Sequence, residues 1–297
     1  MLTGVKVLLL GGDARQLEII QKLCMHNADV YVCGFDQKKE LNPLAIHIEL
    51  EHSILSEMDA IIFPAVGPDE EGYVQCTFSR QPLQFKAEHI KTLQPHCIIF
   101  TGIAKSYLSQ LCNEHHVKLI ELFDRDDIAI YNSIPTAEGA LMMAIQHTDI
   151  TIHGSQSMVL GFGRTGITMA RTLKALGSEV YFGVRRAEHY ARAYEMGFKP
   201  FYTEQLEHYV GNIDLLFNTI PTMIIKAQII EKLQKGTVII DLATKPGGTD
   251  FEYAEKLDIK AILAPGLPGI VAPRTAGIIL ADCISQLLLE QKADRRG

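Results

Sequence analysis

No stretch of this 297-residue chain reaches the ~18 uncharged apolar residues that a membrane-spanning helix needs. Residues 150–163 and 261–273 come nearest, and each is stopped by charge or broken by Gly and Pro. The apolar start, MLTGVKVLLLGGDARQ, ends after a few residues and carries no small-residue cleavage site, so it reads as a first strand and not as a leader. CxxC pairs are missing. Cys24, Cys33, Cys76, Cys97, Cys112 and Cys283 stand apart, and a chain of this length needs no disulfide staples. Buried, reduced thiols in a cytoplasmic protein are the expectation. An excess of positive charge is missing too. Twenty-eight Lys and Arg against 35 Asp and Glu leave −7, which argues against nucleic acid or an anionic membrane as the main partner. A local basic pocket for a small anion stays compatible with that balance. The histidines, His89 and His96 among them, read as scattered. No GxSxG elbow, Walker loop or His/Cys/Asp set at ligand spacing occurs, so hydrolase, P-loop and metal-centre readings fall away.

What is present is an ordinary globular composition, 47% apolar and 21% charged, which excludes a disordered or low-complexity chain. The length suits two domains. Short apolar runs at residues 5–10, 29–33, 60–64, 97–101 and 118–121 alternate with helical patterns at 15–26 and 106–115. A second series follows, with strands expected at 157–160, 179–183, 215–218, 237–241 and 260–263. Helices are expected at 165–176, 187–196, 226–233 and 250–257. This alternation predicts an α/β protein of two doubly wound parallel-sheet, Rossmann-like domains with a cleft between them. Residues 136–148 lie between the two series and read as a connecting helix N-capped by Thr136. Residues 276–291 form a long amphipathic pattern after the second sheet is complete, expected to return to the first domain. The tail 292–297 is charged and expected to fray.

The turn Gly161-Phe162-Gly163-Arg164-Thr165-Gly166 follows an apolar strand and opens an apolar-periodic helix, the context a dinucleotide fingerprint requires. Gly161 permits the tight turn, Gly163 the approach of a pyrophosphate, and Gly166 close helix packing. Some twenty residues on, where an acid would bind a ribose 2′-hydroxyl, stand Arg185 and Arg186, which suit the 2′-phosphate of NADP. Residues 151–274 are therefore expected to bind NADP. The first unit looks similar at Gly11-Gly12-Asp13-Ala14-Arg15-Gln16, with Asp36 ending its next strand. However, Asp13 and Gln16 replace the second and third glycines, and a carboxylate there repels a pyrophosphate. Residues 1–135, joined by the C-terminal helix at 275–297, are expected to be a flavodoxin- or Rossmann-like substrate domain, with residues 136–150 connecting.

Ligands of open α/β sheets lie beyond the carboxyl ends of the strands. Candidate groups there are Arg15, Thr101, Thr136 and Arg274 for a substrate, and Asn218, Thr219, Ile220 and Pro221 for the nicotinamide end. Lys245 could hold an anion or polarise a reacting group. A structural role is available for each singly. Asn218 would cap a turn, Thr136 only its helix, and Lys245 would be solvated.

The segments GGDARQLEII, DRDDIAIYNSIPTAEGALMMAIQHTDITIHGS, VLGFGRTG, NTIP, DLATKPGGTDF and APGLPGIVAPRTAG, spread over the whole chain, together resemble the dipicolinate synthase A-subunit family. The two-unit layout is also similar to the formate/glycerate and alanine dehydrogenase type. The resemblance implies NADP-dependent oxidation of dihydrodipicolinate, or of its hydrated precursor, to dipicolinate. It implies spore formation, hence the mother-cell cytoplasm, and a second polypeptide, the dipicolinate synthase B-subunit, of flavoprotein-like fold. A small cyclic dicarboxylate needs cations for its carboxylates, for which Arg15, Lys245 and Arg274 are candidates. Glu138 or Lys245 is the candidate for proton transfer, and water could also serve. A homo-oligomer is expected. Two other readings stay open: an amino- or hydroxy-acid dehydrogenase of the same layout, and a non-catalytic nucleotide-binding scaffold.

Overall fold

The structure is a computed structural model that describes residues 1–295. It divides into two compact units, one of residues 1–129 with the stretch from Ala272 onward, the other Ile130–Val271.

In the first unit the strands are β1 (Lys6–Leu10), β2 (Asp29–Cys33), β3 (Ile46–His47), β4 (Ala60–Ile62), β5 (Tyr73–Val74), β6 (Leu83–Gln84), β7 (Ile98–Thr101) and β8 (Lys118–Glu121). Six of them form a parallel sheet in the order β3-β2-β1-β4-β7-β8, and β5 and β6 make a separate antiparallel hairpin. Helices α1 (Ala14–Met25), α2 (His52–Leu55), α3 (Ala87–Ile90) and α4 (Ser106–Glu114) link them. The central strands are apolar and buried on both faces, as a parallel sheet covered on both sides requires. One core lies under α1, with Val7, Leu9, Ile19, Leu23, Val30 and Val32; the other lies under the hairpin, with Leu8, Leu10, Ile61, Phe63, Phe85 and Leu108.

Helix α5 (Asp126–His147) carries the chain into the second unit, and the division falls inside it, after Ala129. Thr136 is thus mid-helix and caps nothing. Its hydroxyl donates to Asn132 O one turn back, at 2.8 Å. The second sheet runs β9 (Gln156–Leu160), β10 (Glu179–Val184), β11 (Lys199–Tyr202), β12 (Leu215–Asn218), β13 (Val238–Asp241) and β14 (Lys260–Leu263), all parallel, in the order β11-β10-β9-β12-β13-β14. Helices α6 (Arg164–Ala175), α7 (Ala187–Glu195), α8 (Ala227–Ile230), α9 (Phe251–Lys256) and α10 (Leu267–Val271) accompany it.

The two units repeat one plan. Lys6 answers to Gln156, Ala14 to Arg164 and Asp29 to Glu179, an offset of 150 residues that holds from the first strand to the end of the second.

The last helix, α11 (Pro273–Asp294), belongs to the first unit. Leu280, Ala281, Ile284 and Leu288 enter the core formed by Ile19, Ile20 and Leu23 of α1. Pro273 at its first turn lacks only an N–H that would go unpaired there. The helix runs on through Lys292, whose ammonium donates to Thr3 O at 2.7 Å, and Arg295 pairs with Asp59 at 2.5 Å. Residues 292–295 are therefore held and not frayed, and the rest of the charged tail lies outside the described residues. Two helices approach this closely only if one lacks a side chain at the crossing. A Cβ on Gly277 would stand 2.6 Å from Arg15 O and 2.9 Å from Glu18 Cβ. Gly277→Ala should therefore destabilise the fold by about 1–3 kcal/mol through overpacking against backbone. Urea unfolding of the pure variant measures this, and an unchanged midpoint would mean that α11 does not sit on α1.

Candidate functional site

At the end of β9 the chain turns through Gly161 with φ +102°, a left-handed conformation that glycine adopts freely. A Cβ on Gly166 would lie 1.8 Å from Gly161 O, so the first turn of α6 sits hard against the strand end only because this residue has none. Gly163 is the N-cap of α6, and no side chain caps the helix. No atom lies within 4 Å of the place where its Cβ would stand. The positive end of a twelve-residue helix thus meets open space at Gly163 with no side-chain cap, the arrangement that holds a phosphate.

A cavity of about 480 Å³ adjoins this turn. Of the residues singled out from sequence, Gly161, Phe162, Gly163, Arg185, Arg186, Thr219, Ile220 and Pro221 line it. Arg164 and Thr165 open α6 and are not among the lining residues, and Gly166 is buried beneath the turn. Gly183, Val184, His189, Thr203 and Thr222 also line it and went unread in the sequence. Only His189 left a signal, three positions past Arg186 and so on the same helix face. Its ring stacks on Phe162 at 4.8 Å, and its Nε2 accepts from Arg186 at 2.6 Å. Arg186 also pairs with Glu188 at 3.0 Å. Arg185 is exposed and makes no hydrogen bond or ion pair among the described residues. The two adjacent arginines are thus unequal, one partly neutralised and one available.

Asn218 is fully buried and does not reach the cavity. Its side chain closes on the next residues, accepting from Ile220 N and donating to Ile220 O, both at 3.0 Å, and donates to Asp241 Oδ1 at 3.0 Å. The Asp241 carboxylate, itself fully buried, also accepts from Ala243 N, Gly248 N and the Thr249 hydroxyl at 3.1, 2.8 and 2.7 Å. A buried carboxylate with this many donors is compensated and rigid. Asn218 therefore spends its side-chain bonds on its own chain and shapes the wall made by Thr219–Thr222. Lys245 lies exposed in the loop that Asp241 organises, and Glu138 is exposed on α5.

The equivalent turn of the first unit is filled by the protein itself. Gly12 N donates to Gln75 O at 2.6 Å, Thr77 N donates to Gly12 O at 2.9 Å, and a Cβ on Gly11 would meet Cys76 Sγ at 2.6 Å. The segment leading out of β5 thus covers the backbone where a phosphate would sit. Asp13 N-caps α1 through Arg15 N at 3.0 Å, and its carboxylate accepts from Arg15 Nε at 3.0 Å and from Nη2 at 2.6 Å. Arg15 is therefore half-buried and tied to Asp13 rather than projecting freely. Arg274 is exposed near the start of α11, with Glu18 3.9 Å away. Thr101 is fully buried, and its hydroxyl donates to Pro64 O at 2.9 Å, so that hydrogen is spent on its own chain.

The expectation of scattered histidines needs correction. His52, Glu88 and His89 present nitrogen and oxygen atoms within 4.8 Å of one another. His89 Nδ1 accepts from Lys86 N at 3.0 Å, so the neutral ring carries its hydrogen on Nε2 and offers no second lone pair. Burial and the neighbouring His52 press its pKa down, which keeps the ring in that neutral form.

Burial alone would raise the Asp13 carboxyl. Hydrogen bonds and charge from Arg15 outweigh it and hold Asp13 below the usual carboxylate value. A lowered folded-state value means stability present at neutral pH and lost as pH falls through it. Asp13→Ala should cost about 1 kcal/mol at pH 7, and the difference from the parent should shrink below about pH 4. Urea unfolding across pH measures both, and a difference that is constant with pH would contradict the assignment.

Two family models cover the chain. Residues 6–123 match the N-terminal domain of the dipicolinate synthase A-subunit, and residues 133–296 match the alanine dehydrogenase/PNT C-terminal domain, a family that binds nicotinamide nucleotides. A curated relative, the dipicolinate synthase A-subunit of Bacillus subtilis (strain 168), is 51% identical over 294 residues, 99% of each chain. The crystal structure of the dipicolinate synthase A-subunit from Bacillus halodurans superposes with a TM-score of 0.94 at 47% identity, covering 97% of this chain and 99% of that one. A transhydrogenase from Sinorhizobium meliloti shares the fold alone, with a TM-score of 0.66 at 13% identity, over 96% of this chain and 94% of that one. With identity this high across both units, the chain belongs to the dipicolinate synthase A-subunit family.

Proposed function

We propose that this protein oxidises dihydrodipicolinate, or the hydrated precursor that loses water to give it, to dipicolinate with NADP. We place the reaction in the mother-cell cytoplasm of a sporulating bacterium, in concert with a second polypeptide, the dipicolinate synthase B-subunit. The observation that carries the reading is the uncapped Gly161–Gly163 turn with Arg185 beside it, in a chain of this family. Among the described residues no helix is long and apolar enough to cross a membrane, which agrees with a small polar substrate met in water.

Aromatisation removes two hydrogens from the ring, one with both electrons as hydride and one as a proton. Bound at the open turn, a nicotinamide nucleotide would supply the hydride acceptor. The chain's own residues bind, orient and handle the proton. The α6 N-terminus at Gly163 takes the pyrophosphate, and Arg185 takes the 2′-phosphate. Thr219–Thr222, held by Asn218 and Asp241, keep one wall of the cavity in place. Arg15 and Arg274, both on the first unit, supply positive charge for the substrate carboxylates. Asp13 fixes the Arg15 guanidinium through two of its nitrogens, which orients it before any substrate arrives. The exposed Lys245 or Glu138 accepts the proton, or passes it to water. Turnover of dihydrodipicolinate, followed by NADPH absorbance with and without the B-subunit, tests the reading. Absence of turnover in both mixtures would favour the scaffold reading.

The inequality of the two arginines refines the preference for NADP. Arg185→Ser should raise the Michaelis constant for NADP about tenfold or more, through loss of one charge-assisted bond. Arg186→Ser should do less, because Glu188 and His189 already hold that guanidinium. The Michaelis constant for NAD should change little in either variant. Initial rates with both cofactors decide this, and equal losses for NADP and NAD would show that the arginines hold something other than the 2′-phosphate.

A further inference from the structure

The first unit has its own cavity, of about 640 Å³, at the place in its fold where the second unit has the nucleotide pocket. The correspondence is residue by residue. Cys33, Gly34, Phe35 and Asp36 line the first, and Gly183, Val184, Arg185 and Arg186, each 150 positions on, line the second. Two differences separate them. The Gly161–Gly163 turn lines the second cavity, whereas Gly11, Gly12 and Asp13 do not line the first, because Gln75–Thr77 cover that turn and use the Gly12 N–H. And the position of Arg186 is occupied by Asp36. The phosphate half of the site is closed while the half beyond the second strand stays open.

We propose that this cavity is a second ligand site, specific for a nucleoside without phosphate: a flat heterocycle carrying a vicinal ribose diol. Asp36 stands where the acid of a doubly wound fold accepts from two ribose hydroxyls. Hydrogen bonds from Ser79 and Gln37 hold its carboxyl below the usual range, so it is an ionised acceptor at neutral pH. Ile48, Leu50, Pro82 and Leu83 among the lining residues provide apolar surface for a ring. His89 and Lys86 add N–H donors at the same wall, the His89 hydrogen being fixed on Nε2 by the bond to Lys86 N. A phosphorylated ligand is disfavoured twice over. Asp36 and Glu49 put negative charge at the cavity, and the Gly12 N–H that would receive a phosphate is already spent.

Adenosine is the probe. Binding is measured by saturation-transfer NMR and calorimetry on the full chain, with NADP present in excess to fill the second unit. Saturable binding that persists under NADP is expected. Asp36→Asn should weaken it about tenfold or more while leaving NADP affinity unchanged and the chain folded. Deoxyadenosine, lacking the diol, should bind as weakly to the parent as adenosine does to the variant. Adenosine binding abolished by NADP, or indifferent to Asp36→Asn in a folded variant, or absent at millimolar concentration, would overturn the proposal. NADP titration of the parent without adenosine is scored separately, so failure of the nucleotide reading for the second unit is distinguishable from failure here.

Discussion

The leading N–H groups of a helix have no partner inside it, and a folded chain must either satisfy them itself or leave them to a ligand. That constraint governs both halves of this molecule. In the first unit Asp13 caps α1, and Gln75 O takes the N–H of Gly12. In the second, α6 begins at a glycine that nothing caps, with open space where a side chain would be. Two sheets of the same strand order and the same register thereby acquire different chemistry. The difference lies in what occupies a few hydrogen-bonding groups at one strand end.

Keeping such a turn open demands rigidity around it, since a loop free to collapse would satisfy its own backbone. The rigidity comes from the neighbouring strand ends. Asp241 sits at the end of β13, fully buried, and collects donors from Asn218, Ala243, Gly248 and Thr249. One carboxylate so ties the loop after β12 to the loop after β13, and the first of these is a wall of the cavity. Leaving that carboxylate without its donors would cost far more than the net worth of any one bond, so the arrangement holds as a unit. Gly248 contributes by absence, because a Cβ there would meet Ile220 O at 2.5 Å.

Much of this was legible in the sequence because strand and helix periods, and glycines at fixed spacing, are local signals. The parallel sheets, the fingerprint at Gly161–Gly166 and the arginines beyond β10 are all carried by such patterns. The side-chain roles were less legible. Thr101, Thr136 and Asn218 are polar residues at strand ends or helix starts in the sequence, where a ligand contact and a structural bond look alike. Each turned out to spend its hydrogen bonds on its own chain, to Pro64 O, to Asn132 O, and to Ile220 and Asp241. Four short elements, α2, α3, β5 and β6, had too few residues to show a period, yet their neighbourhood holds the His52, Glu88 and His89 group and one side of the first cavity.

The amino-acid sequence by itself determined the fold class, the existence of two similar units, the place of the glycine fingerprint and the family. These depend on which residue types follow one another along the chain. Tertiary structure alone decided that the hairpin segment at Gln75–Thr77 closes the first glycine turn, that Arg186 is shared with Glu188 and His189 while Arg185 is not, and that the C-terminal helix rests on α1 through Gly277. Each brings a group to a hydrogen-bond or packing partner from which local periodicity gave no warning. Whether a polar atom is free for a ligand depends on that partner, and the partner is chosen by the packing of the folded chain.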